Sequence, residues 1–463
     1  MENKKSIPRF LIGAAASGSG KTLITCGILQ ALKNRGLQIA SFKCGPDYID
    51  PMFHSKVIGT KSRNLDTFFV DEETVRYLLA KNASDCEISV IEGVMGYYDG
   101  LAGISTEASA YDVAVKTETP AVFIVNCKGL SVSAVPYIKG FLEYKKDSRI
   151  RGVILNQISP MMYPRMKEMI ESQLPVTVYG YVPVVKDCVL ESRHLGLVMP
   201  EEIRDIQKKL QEFSKVIEKS VDLDGLIRLA QSAERYEELK EPEIYRVDHP
   251  VRIAVARDEA FCFFYEDNLE LLRKMGAQLV EFSPIHDSKL PDHIQGMILN
   301  GGYPELYAKQ LSDNRSMCRS VREVLKKGIP HMAECGGFMY LHSEMEDMEG
   351  NVWPMVGMLD GKAYRTPKLT RFGYIMLEEG DCFGEKVGMI PAHEFHYFDS
   401  QSCGEDFAAR KPLSKRGWRC IHSDEKCMVG FPHLYYYGNK KVPEAFLKAC
   451  ERYKNDCERM EKI

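Results

Sequence analysis

The stretch Phe10-Leu-Ile-Gly-Ala-Ala-Ala-Ser-Gly-Ser-Gly-Lys-Thr22 decides the fold of the first half of the chain. Its apolar part reads as a buried strand, and Ser17-Gly-Ser-Gly-Lys-Thr22 reads as a phosphate loop opening a helix over Lys21–Asn34, with Gly36 as its C-cap. Glycines allow backbone N–H groups to curl around phosphate oxygens, and the helix N-terminus adds a favourable dipole. Ser17, Gly18, Ser19 and Gly20 would form the cradle, Lys21 would neutralise the β- and γ-phosphates, and the Thr22 hydroxyl would ligate Mg²⁺. Ala15 stands where the strict motif has its first glycine. Lys4, Lys5 and Arg9 ahead of the apolar run imitate a secretory leader. The run passes straight into the phosphate loop, however, so a cytoplasmic location is expected.

Further apolar runs at Leu37–Phe42, Ile88–Ile91, Ala121–Asn126 and Gly152–Asn156 alternate with helical stretches. That alternation predicts an α/β domain with a parallel sheet and right-handed crossovers. Residues 201–243 are charged and heptad-like and close on Glu-Leu-Lys-Glu-Pro242, which reads as a helical appendage and linker. A second α/β pattern follows, with strands at Val251–Ala256, Gly276–Phe282, Gly296–Asn300 and Ile329–Ala333 and a helix at Tyr265–Met275. The expected division is a synthetase domain over 1–200, the appendage over 201–248, a second α/β domain over 249–442 and a charged C-terminal helix over 443–463.

Composition agrees with two or three soluble domains. The chain has 463 residues, 44% hydrophobic and 27% charged, and 61 basic against 65 acidic residues leave a net charge of −4. No basic excess points to nucleic acid, and no apolar run approaches the ~18 residues that a membrane helix needs. The 14 cysteines contain no C-x-x-C pair, and Cys420 with Cys427 and Cys450 with Cys457 sit seven apart. Most therefore read as small buried hydrophobes of a reducing compartment.

Three more stretches carry chemistry. Ile88–Gly100 is an apolar strand ending in Glu92, then a glycine-rich loop carrying Asp99, and Phe42–Asp50 is a strand end carrying Lys43 and Asp47. Such strand ends face the crevice of a phosphate-loop sheet, where a second Mg²⁺ contact falls. His331-Met-Ala-Glu-Cys-Gly-Gly-Phe338 reads as a nucleophile elbow, with Cys335 on a tight turn and a helix N-terminus expected to lower its thiol pKa. The glycines of Asn300-Gly-Gly-Tyr-Pro-Glu305 offer oxyanion donors, and His433, His393 and His396 are candidate bases. His393 and His396 fall one residue short of H-E-x-x-H, so a metal site there is disfavoured.

The chain resembles the cobyrinic acid a,c-diamide synthase family of cobalamin biosynthesis over nearly its whole length. The resemblance is carried by Ser17–Thr22, Lys43-Cys-Gly-Pro-Asp-Tyr-Ile-Asp-Pro51, Glu92-Gly-Val-Met-Gly-Tyr-Tyr-Asp-Gly100, Arg193-His-Leu-Gly-Leu197, Gly301-Gly-Tyr-Pro-Glu305, Glu334-Cys-Gly-Gly337 and His393-Glu-Phe-His-Tyr397. It implies a dethiobiotin-synthetase-like domain followed by a class I-like glutamine amidotransferase domain. ATP would phosphorylate the a and c acetates of the tetrapyrrole in separate rounds, and ammonia from glutamine would displace phosphate. The resemblance further implies ATP contacts from Ser17–Thr22 and Lys43, and Mg²⁺ contacts from Thr22, Asp47 and Glu92. Asp47, Tyr48 and Asp99 would lie near the substrate or its phosphorylated intermediate. Cys335 would be the nucleophile and His433 its base, with Gly301 and Gly302 as the oxyanion hole.

One departure is visible. Where the broader class has His-x-Glu, this chain reads His433-Leu-Tyr435, so a third carboxylate is missing from that position. A less well oriented His433 and a modest glutaminase rate, rising when the synthetase site is occupied, are expected. Nickel sirohydrochlorin and hydrogenobyrinic acid are rival substrates of the same chemistry. A cobyric acid synthase, or a nucleotide- or tetrapyrrole-sensing module without catalysis, ranks lower.

Overall fold

Short, almost wholly buried strands separated by amphipathic helices leave the first half of the chain one way to hide its apolar runs, in a parallel sheet covered on both faces. The computed structural model describes residues 6–185, 200–237 and 239–460, so Arg193–Leu197 lies outside the described residues. The chain divides into two compact units, Met1–Pro242 and Glu243–Ile463.

The first unit runs β1 (Arg9–Ala14), α1 (Lys21–Asn34), β2 (Ile39–Cys44), α2 (Ile49–Phe53), β3 (Lys61–Leu65), α3 (Glu72–Asn82), β4 (Ile88–Glu92) and α4 (Ala110–Lys116). It continues with β5 (Ala121–Asn126), α5 (Ala134–Glu143), β6 (Ile150–Asn156), α6 (Tyr163–Gln173), β7 (Thr177–Val182), α7 (Pro200–Ser220) and α8 (Leu223–Gln231). The strands form a seven-stranded parallel sheet in the order β3-β2-β4-β1-β5-β6-β7. β1 lies at its centre with β4 beside it, which brings the phosphate loop and Glu92 to neighbouring strand ends.

The helical stretch after residue 200 is not an appendage. Leu210, Phe213 and Ile217 of α7 and Leu223, Leu226 and Ala230 of α8 are buried in the same core as Ile24, Ile28 and Leu32 of α1. The two helices α1 and α7 approach so closely at Gly27 that a Cβ there would meet the Phe213 ring at 2.6 Å. Among the described residues of α7 the charged side chains from Asp205 to Lys219 are exposed, and its apolar stripe is what the core uses.

The second unit begins with β8 (Val251–Ala256), α9 (Glu266–Lys274), β9 (Ala277–Phe282), β10 (Gly296–Leu299), α10 (Ala308–Asp313), α11 (Arg315–Lys326), β11 (His331–Glu334) and α12 (Gly336–Leu341). It continues with β12 (His342–Glu346), β13 (Val352–Pro354), β14 (Leu359–Arg365), β15 (Arg371–Glu378), β16 (Ile390–His396), β17 (Phe398–Ser400) and β18 (Phe407–Arg410). β19 (Gly417–Cys420), β20 (His422–Ser423), β21 (Cys427–Gly430), β22 (His433–Leu434) and α13 (Lys441–Met460) complete it. Its main sheet has the order β20-β21-β11-β10-β8-β9, and two smaller sheets, β13-β12-β14-β17 and β19-β18-β15-β16-β22, are largely antiparallel. Those smaller sheets have no counterpart in the sequence reading. β14 (Leu-Asp-Gly-Lys-Ala-Tyr-Arg365) is half-exposed and largely polar, so no apolar run announces it, and the sequence reading passes over the apolar Tyr374–Leu377 of β15.

Candidate active sites

In the first unit the loop after β1 takes left-handed turns at Gly18 (φ +76°) and Gly20 (φ +91°), conformations that cost glycine little. Gly20 has a second constraint, because a Cβ there would come 2.5 Å from Asn156 Nδ2, which donates to the Ser19 carbonyl at 3.0 Å. Ser17 and Gly18 are exposed and Ser19 is buried. Lys21 is buried and donates to the carbonyls of Ala16 (3.0 Å) and Met95 (2.5 Å). Burial and the neighbouring Lys43 charge lower its ammonium to about 8.

Glu92 is fully buried and gathers the site around it. Thr22 Oγ1 donates to Glu92 Oε1 at 2.6 Å, Lys43 Nζ donates to the same oxygen at 2.9 Å, and His54 Nε2 lies 3.3 Å from Oε2. Lys43 also pairs with Asp50 Oδ2 at 2.5 Å. One ammonium thus serves two buried carboxylates. Burial alone would raise Glu92, but Lys43, His54 and Thr22 hold it well below the usual carboxylate range. Asp50 moves the other way, to about 8, under burial and the charge of Glu92. Lys43 stays charged well above its ordinary range because its two carboxylate partners outweigh its burial.

The structure therefore brings Lys21, Thr22, Lys43 and Glu92 together, as the sequence reading expects. Asp47 stands differently: its Oδ1 accepts the Ile49 and Asp50 amides at 2.8 and 3.3 Å, capping α2. Tyr48 is buried at the same helix start. Asp99 Oδ2 accepts the Gly96 amide at 2.9 Å, and this turns the loop after β4 against the phosphate loop, where Tyr97 N donates to the Ala14 carbonyl at 2.7 Å. Asp50 and His54 are the residues that sequence reasoning missed. Asp50 was within the quoted Lys43–Pro51 stretch, whereas nothing in its local pattern singles out His54.

In the second unit Cys335 sits between β11 and α12 with φ +46° and ψ −103°, a strained backbone for a non-glycine residue and the mark of a nucleophile elbow. Its amide donates to the Gly430 carbonyl at 2.8 Å. The thiol pKa is not lowered as expected. Burial, then the Glu305 carboxyl, push the thiol well above its ordinary value and outweigh the hydrogen bond from Gly336. Burial likewise raises Glu305, to about 7.

Gly301 and Gly302 line the same point. A Cβ on Gly301 would come 2.5 Å from His433 Cε1, and one on Gly302 would come 2.0 Å from the Ala260 carbonyl oxygen. The Gly302 amide nitrogen stands 3.0 Å from where a Cβ on Gly336 would lie. His433 is 2% exposed, stacks on His393 with ring centroids 5.0 Å apart, and places Nδ1 3.5 Å from Glu334 Oε2. Burial and the adjacent His433 hold His393 well below the usual histidine range. His393 and His396 project to opposite faces of β16, and His396 stacks on Phe431 with ring centroids 4.1 Å apart. The described residues contain no group of three or more His, Cys, Asp and Glu side chains arranged to hold a metal ion. All thirteen described cysteines are free thiols, nine of them buried. Among the described residues no helix is long and apolar enough to cross a membrane.

Comparison with known proteins follows the same division. Residues 10–197 match the family described as "CobQ/CobB/MinD/ParA nucleotide binding domain", and residues 252–429 match the "CobB/CobQ-like glutamine amidotransferase domain". A cobyrinate a,c-diamide synthase of Caldanaerobacter subterraneus subsp. tengcongensis is 39% identical over 449 residues, covering 96% of this chain and 98% of that protein. Proteins of the same name from Listeria innocua (39% identity, 94% of this chain, 97% of the relative) and Thermoplasma volcanium (36%, 96% and 98%) match along a similar span.

Proposed function

From the premise that the chain belongs to the cobyrinate a,c-diamide synthase family, we propose that it amidates the a and c acetates of cobyrinic acid in cobalamin biosynthesis, using ATP and glutamine. The proposal assigns carboxylate activation to the first unit and glutamine hydrolysis to the second, and it places the enzyme in the cytoplasm. The observation that carries it is the pairing of two sites in one chain: a phosphate loop joined to a buried acidic cluster, and a strained cysteine elbow beside a histidine.

A carboxylate is a poor electrophile, so the acetate oxygen first attacks the γ-phosphorus of ATP, releasing ADP and leaving an acyl phosphate. Lys21 and Lys43 would stabilise charge on the transferring phosphoryl group, and Ser17, Gly18, Ser19 and Gly20 would hold the phosphates through backbone N–H groups. Thr22 and Glu92 fit a divalent cation, since a hydroxyl and an ionised carboxylate converge within 2.6 Å. Few protein donors are what Mg²⁺ usually takes when phosphates and water complete its shell. Bound there, Mg²⁺ supplies charge neutralisation for the phosphates. Asp47, Tyr48 and Asp99 are proposed to face the acetate or its acyl phosphate, with Asp47 as a further cation contact.

At the second site Cys335 Sγ would attack the glutamine carboxamide, with the oxyanion held at Gly301 and Gly302. The raised thiol means that the proton leaves as attack occurs, and His433 is the group proposed to take it and return it to the departing ammonia. Water then cleaves the thioester to glutamate. Ammonia attacks the acyl phosphate, expels phosphate and leaves the amide; a second round completes the diamide.

The decisive experiment offers cobyrinic acid and nickel sirohydrochlorin in parallel, with ATP, Mg²⁺ and amide-¹⁵N glutamine, and weighs the products. Two labelled amides on cobyrinic acid alone are expected. Label on nickel sirohydrochlorin alone would overturn the substrate while keeping the chemistry, and label on neither would overturn the catalytic reading.

A further inference from the structure

His433 is enclosed by a glycine, a second imidazole and a carboxylate. Gly301 closes one side, with room for no Cβ against the ring, and His393 is stacked on it at an interplanar angle of 23°. At the ring edge, Nδ1 lies 3.5 Å from Glu334 Oε2. Among the described residues His433 is the sole ion-pair partner of Glu334, whose side chain is only 14% exposed.

This arrangement is set by two sheets. Glu334 ends β11, and its register partner is Gly430, the last residue of β21. Three residues later the chain reaches His433, which opens β22 and is the register partner of His393 in β16. Glu334 is thus held by β11 of the main sheet, one residue before the nucleophile, and His433 by β22 of the neighbouring sheet, three residues after the register partner of Glu334. Tyr435, which stands where the broader class carries its glutamate, is engaged elsewhere. Its hydroxyl donates to Asp267 Oδ2 at 3.2 Å, and its ring packs edge-on against Tyr265 at 5.0 Å.

We propose that Glu334 is the positioning residue of His433, so that the carboxylate missing from His433-Leu-Tyr435 is supplied instead from the residue preceding Cys335. The inference rests on the reading of Cys335 and His433 as nucleophile and base. A carboxylate beside Nδ1 selects the tautomer that carries its proton there and stabilises the imidazolium formed later. Nε2 then keeps its lone pair for the Cys335 proton. The same carboxylate costs little before the reaction, because the ring is then uncharged and the full ion pair forms only as the proton moves.

The test uses the full-length enzyme and reads glutamate release without any tetrapyrrole, alongside ammonia-dependent amidation. Glu334→Gln keeps size and polarity but lacks the charge. It is expected to lower kcat of glutamine hydrolysis on the order of 10²-fold, short of the ~10⁴ seen when a fully hydrogen-bonded triad carboxylate is neutralised. KM for glutamine should stay within about twofold, since Glu334 is not placed on the substrate. Ammonia-dependent amidation should be untouched, which also shows that the variant folds. In histidine-¹⁵N spectra the Nδ1-protonated form of His433 should be lost in Glu334→Gln and regained in Glu334→Asp, with part of kcat. Combined with His433→Ala, Glu334→Gln should have no further effect.

Full kcat in Glu334→Gln, or a rise in KM with kcat unchanged, would overturn the inference. So would an unaltered His433 tautomer. Cys335→Ser, assayed beside these variants, separates the two readings: glutamate release that survives it would overturn the nucleophile itself rather than the role of Glu334.

Discussion

The two sites of this chain solve opposite electrostatic problems. Around Glu92 the first unit buries one ion pair and keeps it charged: Glu92 is held ionised by Lys43, His54 and Thr22, and Lys43 stays charged, while the neighbouring Asp50 is raised instead. Around Cys335 the second unit buries reactive groups and keeps them neutral: the thiol and the Glu305 carboxyl are raised, and the His393 imidazole is lowered. Lys43, Glu92 and Asp50 are buried as Cys335, His393 and His433 are, so burial is not what distinguishes the sites. The difference is whether an opposite charge was buried alongside. Phosphoryl transfer uses standing charge, because its transition state is stabilised by fixed cations. Attack on an amide uses a proton that must move, and a permanent thiolate would gain little from a base beside it.

The largest expected effect separates the sites outright. Cys335→Ser should reduce glutamine-dependent amidation more than about 10³-fold while ammonia-dependent amidation persists, as read by product mass; equal loss of both would collapse the division of labour. Lys21→Ala should abolish ATP-dependent product to a similar extent and leave basal glutamate release measurable. Product at the normal rate would remove Lys21 from the mechanism.

Glu92→Gln is expected to cost on the order of 10²–10³-fold in ATP-dependent turnover, and it sharpens the comparison because it leaves Lys43 with half of its partners. A loss below about tenfold would mean that the buried charge is structural. Smaller still is the thiol. Its raised pKa predicts that alkylation of Cys335 by iodoacetamide is slower than that of a free thiol at pH 8 and climbs past pH 9; fast alkylation at neutral pH would show a standing thiolate and break the contrast.

The mildest effect concerns stability. His342, fully buried in the second unit with Nε2 2.6 Å from Ser400 Oγ, is lowered by burial from 6.5 to about 4. Its folded pKa lies below its unfolded one, so the stability it represents is complete above pH 6.5 and is lost as the pH falls towards 4. The loss amounts to at most about 3 kcal/mol. Amide exchange corrected for pH should show α12 and β12 losing protection over that range; unchanged protection would exclude the effect.

Much of this was legible in the chain. The strand that ends in the phosphate loop, helix α1 at Lys21–Asn34, strands β5 and β8 and the elbow at Cys335 all follow from short-range signals: apolar runs, glycines at tight turns, a lysine and threonine after the loop. Family resemblance extended that reading to the reaction. The failures have a common cause. The half-exposed β14 of a smaller sheet carries no apolar run, and α7 hid its core-facing stripe among charges. Asp50 and His54 became visible only when α2 and the helical turn after it were packed under Glu92.

The sequence by itself determined the α/β class of the first unit, the presence of a phosphate loop and a nucleophile elbow, and through them the family. These depend on backbone conformations that a few neighbouring residues dictate. Only the tertiary structure decided which charges share a dry interior, that Lys43 answers two carboxylates, that the Cys335 thiol is raised rather than lowered, and that Glu334 faces His433. Those facts depend on distances between groups on different strands and on the water excluded around them, and neither quantity is written in the spacing of residues along the chain.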